Sequence, residues 1–416
     1  MNKMRTIALL SSLVLYFCIN AQQNTVEKKP VETMWIGKLR LNDSTLLYFD
    51  LGILNAKTGK QMIIHNGEES ITITQVTETK DSLSFKMPVF DSEFKCKKAG
   101  DSISGSWINH MRKTNNVLPF SATKTSKNSE TSETHSSIIK TKWEMTFNPS
   151  TTDEYKGIGL VEHGSKAGDR VEGTILTETG DYRYLAGSFL DDQTLYFSCF
   201  DGAHAFMFKA KLKPDTTLEG DFWSGSHGHE KWKAKLNDRF ELRNPDSLTF
   251  LKPGFDKFEF SFPDLTGKKV SITDPKYKGK VVIVQIMGSW CPNCMDETKF
   301  LAGFYDKQKA KGLEVVALAY ERTGDIPKAV TNVQRVKKKF NCNYDVLIAS
   351  TSSEKDVAAK TLPMLNHIMS YPTTIFIDKK GKVRKIHTGF NGPATGKYYD
   401  EFVEEINKFV EKLIKE

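Results

Sequence analysis

The chain reads as a multidomain protein: two N-terminal all-β modules, each an antiparallel barrel or sandwich, followed by one C-terminal α/β domain. Three observations predict it. Short apolar runs punctuated by turn residues fill the first 240 residues. A continuous apolar run then leads straight into a Cys-x-x-Cys pair, with an amphipathic stretch behind it. From there to the end, strand-like and helix-like segments alternate. At 416 residues the chain exceeds one typical domain, and two or three are expected.

The extreme N-terminus is read separately from the fold. Met1-Asn2-Lys3-Met4-Arg5 is basic, Ile7 to Ile19 is apolar, and Asn20-Ala21-Gln22-Gln23 is small and polar. That order describes a secretory signal peptide over residues 1–21, with cleavage expected after Ala21. The apolar stretch is short for a membrane span, so an uncleaved anchor is the lesser reading. Cys18 follows the bulky Phe17, which does not suit a lipoprotein site. The mature chain is therefore expected in the periplasm or another extracytoplasmic compartment, where disulfides form.

The first β-rich module is expected over residues 27–125. Its strands include Leu46-Leu47-Tyr48-Phe49, Met62-Ile63-Ile64, Ile71-Thr72-Ile73-Thr74 and Leu83-Ser84-Phe85, with turns at Thr58-Gly59, Asn66-Gly67 and Ala99-Gly100-Asp101. A polar linker, Thr123 to Ser137, precedes a second module of the same character over 138–240. The two share local features. Asp81 to Phe85 parallels Gln193 to Phe197, and Asp101 to Trp107, ending Gly-x-Trp, parallels Thr217 to Trp223, ending Gly-x-x-Trp. Duplication of one small barrel or sandwich is the expectation. Such modules bind ligands or partners, and nothing in them looks catalytic. His227-Gly228-His229, with His204 upstream, lacks further ligands at fixed spacing, so a solvated loop is preferred to a metal site.

The third domain is expected over 255–416. A strand at Lys268 to Ile272 precedes the apolar run Val281 to Met287, then Gly288-Ser289-Trp290-Cys291-Pro292-Asn293-Cys294 and an amphipathic helix from Met295 to Lys311. The pair thus sits at a strand-to-helix turn, with Cys291 at the helix N-terminus. Free amides and the helix dipole favour negative charge there, so Cys291 is expected as a thiolate with a pKa lowered into the range of about 3.5–7.5. Pro292 occupies the first helical position, where its missing N–H costs nothing. The thiolate is the nucleophile of disulfide exchange. Cys294, more buried, would resolve the mixed disulfide. Trp290 beside the nucleophile is expected as part of a substrate platform rather than a core residue. Cys96 and Cys199 read as small buried hydrophobes, and Cys342 as unreactive, with a regulatory or mixed disulfide there as the lesser alternative.

At Tyr371-Pro372-Thr373-Thr374, which begins 80 residues beyond Cys291 and is followed by the strand Ile375-Phe376-Ile377-Asp378, the chain resembles the thioredoxin superfamily. Its likeness is to the bacterial extracytoplasmic TlpA/ResA-type thiol–disulfide oxidoreductases. The resemblance implies a thioredoxin fold, a cis peptide bond at Pro372 packed against the CxxC pair, and a Tyr371 backbone able to pair with a substrate polypeptide. It places Trp290, Pro292, Tyr371, Pro372 and Thr373 at the substrate surface. Where minimal thioredoxins carry a buried aspartate, this chain has Gln285, which cannot titrate. Glu297, three residues after Cys294, stands where TlpA/ResA-type enzymes carry a glutamate, and i and i+3 share a helix face. It is the expected proton acceptor for Cys294; the alternative is a first-turn carboxylate complementing the helix dipole.

Between the central helix and Pro372 the chain carries further α/β material: a strand at Leu313 to Tyr320, a helix at Ile326 to Lys339, a strand at Tyr344 to Ala349 and a helix at Glu354 to Met369. Val383 to His387 is the last strand, and Tyr399 to Lys415 the terminal helix.

The partners expected are protein disulfides or thiols and a thiol electron donor, with a membrane-anchored redox protein as one candidate. No cofactor or metal is called for, since zinc would need a second Cys or His pair. Gly288, three residues before Cys291, stands where a peroxiredoxin has threonine, which disfavours peroxidase chemistry. The net charge of +8 is dispersed, and its one dense run, Lys337-Lys338-Lys339, lacks interleaved aromatics, so nucleic-acid binding is unsupported. A competing reading makes the β modules the functional part, served by an accessory redox domain.

Overall fold

The computed structural model describes residues 31–125, 139–164, 169–190 and 193–416. The leader expected over 1–21 and most of the linker up to Ser137 lie outside these.

The first barrel comprises β1 (Glu32–Arg40), β2 (Leu46–Ala56), β3 (Gly59–Asn66), β4 (Glu69–Ile73), β5 (Gln75–Glu78), β6 (Ser82–Lys86), β7 (Ser92–Ala99), β8 (Ser102–Asn109) and β9 (Val117–Lys124). Except between β4 and β5, each strand pairs antiparallel with the next in sequence, and β1 pairs with β9. β4 pairs with β3 and β5 with β6. Only Thr74 separates β4 from β5, so the chain itself carries the sheet around and closes it. Closure removes the unpaired edges that an open sheet would expose. Inside and outside alternate with period two, as in β6, where Leu83 and Phe85 point in and Ser82 and Lys86 out.

The second barrel follows the same plan. Its strands are β10 (Ile139–Phe147), β11 (Tyr155–His163), β12 (Arg170–Thr177), the short β13 (Gly180–Asp181), β14 (Leu185–Phe189), β15 (Thr194–Phe200), β16 (Ala205–Leu212), β17 (Leu218–Ser224) and β18 (Gly228–Leu236). β10 closes on β18, and β13 folds back on the end of β12 as an extra arm.

The paired sequence segments occupy equivalent strands. Leu83 and Phe85 lie on β6, Leu195 and Phe197 on β15, each the fifth strand of its barrel when β4 and β5 count as one and the arm β13 is left out. The Gly-x-Trp and Gly-x-x-Trp segments fall on the seventh strands, β8 and β17. The tryptophans themselves are not equivalent. Gly105 and Gly220 align, since a Cβ on either would lie 2.1 Å from a carbonyl oxygen of the preceding strand, Lys95 or Lys209. Two residues on, Trp107 and Phe222 point inward, which leaves Trp223 on the opposite face.

β15 is buried along its whole length. Leu195, Phe197 and Cys199 enter the core of the second barrel, while Tyr196 and Phe200 enter that of the first. Phe200 stacks on Phe49 at 4.9 Å and meets Trp107 edge-on at 5.2 Å. Asn66 both donates to and accepts from the Phe200 backbone, at 3.0 Å each. Burying a phenylalanine this fully is worth about 1.5–3 kcal/mol. The two barrels therefore share packed surface.

After the small hairpin β19 (Ser261–Pro263) and β20 (Lys269–Ser271), the last domain has β21 (Val281–Met287), α1 (Pro292–Gln308), β22 (Leu313–Tyr320), α2 (Ile326–Phe340), β23 (Asp345–Ser350), α3 (Lys355–Thr361), β24 (Thr373–Ile377), β25 (Val383–Thr388) and α4 (Lys397–Lys415). The sheet order is β23-β22-β21-β24-β25, with β21, β22 and β23 parallel and β24 and β25 antiparallel. This is the thioredoxin fold. β21 is central and wholly buried, which explains its unbroken apolar sequence.

The helix expected over Glu354 to Met369 ends at Thr361. Pro363 disfavours a helical residue before it, and Leu362 adopts φ −131°, ψ 66°. The freed segment turns back, and Leu365 bridges Leu251.

Candidate active site

Cys291 is the N-cap of α1. Its backbone is extended, and its Sγ accepts the Cys294 amide at 3.2 Å, satisfying one of the helix's free N–H groups. Pro292 follows at the first helical position. As a thiol, Cys291 donates to the Tyr371 carbonyl at 3.3 Å. The Tyr371–Pro372 peptide is cis, which turns that carbonyl toward the sulfur. Cys291 is 5% exposed and Cys294 is fully buried, and neither is in a disulfide. Burial, then the Cys291 sulfur and Glu297, push the Cys294 thiol well above its ordinary range. It therefore needs a base to react.

Glu297 lies one turn further along α1, buried. Thr374 Oγ1 donates to one of its carboxyl oxygens at 2.6 Å and Gln285 Nε2 to the other at 2.8 Å. The same Gln285 amide reaches the Cys294 carbonyl at 3.5 Å, and its oxygen accepts from Thr298 at 3.2 Å. Burial drives the Glu297 pKa up to about 7, against the pull of the two hydrogen bonds. Gln285 thus holds the Glu297 carboxyl in place beside the Cys294 turn.

The remaining predicted positions divide. Trp290 is half-buried, its Nε1 donating to the Tyr320 carbonyl at 2.8 Å, and its ring meets Tyr371 edge-on at 5.4 Å. Pro292, Tyr371 and Pro372 are buried around the sulfur. Thr373, expected at the substrate surface, is fully buried with its hydroxyl donating to the Ser370 carbonyl, so its side chain braces the proline turn. His227 lies in the exposed turn between β17 and β18, as the loop reading expects, whereas His229 lies on β18 with its Nε2 2.7 Å from Asp221 Oδ1; no group of three or more metal-ligating side chains occurs among the described residues.

Several neighbours escaped the sequence reading. Glu321 is buried and accepts both the amide and the hydroxyl of Ser289, at 2.8 and 2.6 Å, pinning the loop before Trp290. Arg322 lies flat on the Trp290 ring, 3.3 Å from its centroid. One signal was available: Glu321 and Arg322 are charges ending an apolar strand, and ligands in α/β folds gather at the carboxyl ends of parallel strands.

Barrel side chains and backbone also reach the site. Asn293, between the cysteines, donates to the Asp181 carbonyl at 3.1 Å, and Ser370 donates to Thr179 at 2.6 Å. Buried Arg183 donates to the Pro292 carbonyl at 3.3 Å and pairs with Asp296 of α1 and with Glu69 of the first barrel. The turn between β12 and β13 therefore covers one flank of the CxxC loop.

This fold and dithiol define a thioredoxin-like thiol–disulfide oxidoreductase domain, and comparison with known proteins agrees. The Redoxin family model matches residues 255–401. The thiol-disulfide oxidoreductase ResA of Bacillus thuringiensis subsp. konkukian is 30% identical over 147 residues, 35% of this chain and 74% of that protein. ResA of Bacillus subtilis is 31% identical over 139 residues, 33% of this chain and 69% of its own. A solved thiol:disulfide interchange protein of the thioredoxin family from Chlorobium tepidum is 20% identical, covering 38% of this chain and 95% of that one, with a TM-score of 0.29. Through its C-terminal domain the chain belongs to the ResA-type thiol–disulfide oxidoreductases.

Proposed function

We propose that Cys291 and Cys294 are the redox centre and that the protein reduces protein disulfides outside the cytoplasm. The supporting observation is the pairing of an N-cap sulfur, held by the Cys294 amide, with a buried second thiol next to an uncharged-or-charged carboxyl at Glu297. Cys291 as thiolate attacks a substrate sulfur, forming a mixed disulfide and expelling one substrate thiolate. Glu297 takes the proton of Cys294. The Cys294 thiolate then attacks Cys291, forming the Cys291–Cys294 disulfide and releasing the second substrate sulfur, which is protonated. Two electrons pass from the dithiol to the substrate, and a thiol electron donor restores it. Trp290 and the backbone of Tyr371 form the surface on which the substrate lies.

The direction follows from the reduction potential, where about 30 mV corresponds to about 1.4 kcal/mol for this couple. The basic-then-apolar start of the chain supports export. No helix among the described residues is long and apolar enough to cross a membrane. The test is trapping. With Cys294→Ser the mixed disulfide cannot be resolved, so a disulfide substrate should remain covalently attached to Cys291. Failure to trap any substrate, with Cys291→Ser still reducing insulin, would refute the reading.

A further inference from the structure

The β12–β13 turn covers one flank of the CxxC loop, and Trp290 borders Cys291 on its N-terminal side. That side carries a cluster assembled from three parts of the chain. Arg322, at the end of β22, is exposed and stacked on Trp290, its Nε fixed by Ser353 Oγ at 2.8 Å. Arg112 comes from the β8–β9 turn of the first barrel and His227 from the β17–β18 turn of the second. The Arg112 guanidinium donates to His227 Nε2 at 2.6 Å, so the imidazole is neutral. Burial and the charges of Arg112, His204 and Arg322 agree, pushing the His227 pKa down to about 4. His227 also lines a polar groove of about 400 Å³ between the barrels, with Asn42, Ser44 and Ser226.

Among the described residues neither arginine has a carboxylate within ion-pair distance. Two neighbouring guanidinium groups repel one another, and both are orientated by neutral partners rather than neutralised by acids. A guanidinium so presented takes a carboxylate in bidentate fashion. Glu354 is near enough to be felt by Arg322, but it forms no bond with it.

We propose that Arg322 and Arg112 form an anion subsite beside the nucleophile, selecting disulfides of polypeptide segments that carry an acidic side chain next to the cysteine. This rests on the reductase reading above. A carboxylate bound there lies over Trp290 and sets the neighbouring sulfur against Cys291.

The test uses the full chain and two disulfide peptides identical but for Glu or Gln beside the cysteine, with glutathione disulfide as a small carboxylate-bearing substrate. An exposed ion pair is worth up to about 1 kcal/mol, so the Glu peptide should show kcat/KM about five-fold higher. The gain should lie in KM and fade at high salt. In Arg322→Gln and Arg112→Gln the Glu-to-Gln ratio should fall toward one, and Arg322→Lys should keep part of it. Because the ratio is internal to each variant, a loss of folded protein does not imitate this result. A ratio of one in the unaltered protein overturns the subsite while leaving the reductase reading intact. Arginine-dependent reduction of glutathione disulfide with both peptides poor would overturn the polypeptide assignment. Reduction of none of the three would instead overturn the reductase reading.

Discussion

Glu297 carries opposite demands on stability and chemistry. Its pKa of about 7 in the folded protein stands above the 4.5 of a free glutamate, with burial as the main cause. Between those values the folded state binds the proton and the unfolded state does not, so the stability present below pH 4.5 is lost as pH rises through 7. The full effect is on the order of 3 kcal/mol. Glu297→Gln should therefore be more stable than the parent at pH 8 in urea unfolding, and the difference should vanish near pH 4. On the proposed mechanism the same substitution removes the base for Cys294. The resolving step, which should quicken through about pH 7 in the parent, is expected to slow by 10²–10⁴-fold and lose that inflection. Stopped-flow measurement of mixed-disulfide decay against pH checks it.

At the scale of the element, backbone approach decides where glycine is required. Gly220 on β17 faces the Lys209 carbonyl so closely that a Cβ must displace backbone. Gly220→Ala is expected to cost about 1–3 kcal/mol, as overpacking does. Gly303, inside α1, has nothing within 4 Å of its would-be Cβ. Gly303→Ala should stabilise by about 0.5–1 kcal/mol through helix propensity alone. Thermal unfolding of the two variants should shift in opposite directions. Elements were largely legible because their signals are local: the run Val281 to Met287, the proline after Cys291, and the alternation in Leu83-Ser84-Phe85. The long helix after Glu354 was misjudged because apolar spacing outweighed one proline, Pro363, that the backbone cannot ignore.

In the whole molecule, Arg183 binds three parts of the chain. It sits in the second barrel, pairs with Glu69 of the first, and reaches Asp296 and Pro292 of α1. Asp201 adds a further carboxylate at 3.5 Å. Removing one partner of a buried pair leaves uncompensated charge, typically costing 3–5 kcal/mol. Arg183→Met should lower the apparent stability by about that amount, and limited proteolysis should cut sooner around the β12–β13 turn. Proteolysis unchanged from the parent would show that this ion cluster does not hold the turn against the CxxC loop.

The sequence by itself determined the dithiol at a strand-to-helix turn, the proline loop opposite it and the strand repeats of the barrels. Each is written in residues a few positions apart, where hydrogen bonding and side-chain period act directly. Only the tertiary structure decided that Gln285 and Thr374 grip Glu297, that Thr373 faces inward, that the tryptophans of the two repeats point opposite ways, that Arg183 reaches the CxxC loop, and that Arg112 of one barrel meets His227 of the other. Those contacts join residues up to about 200 positions apart, and their energies depend on burial, which no local pattern records.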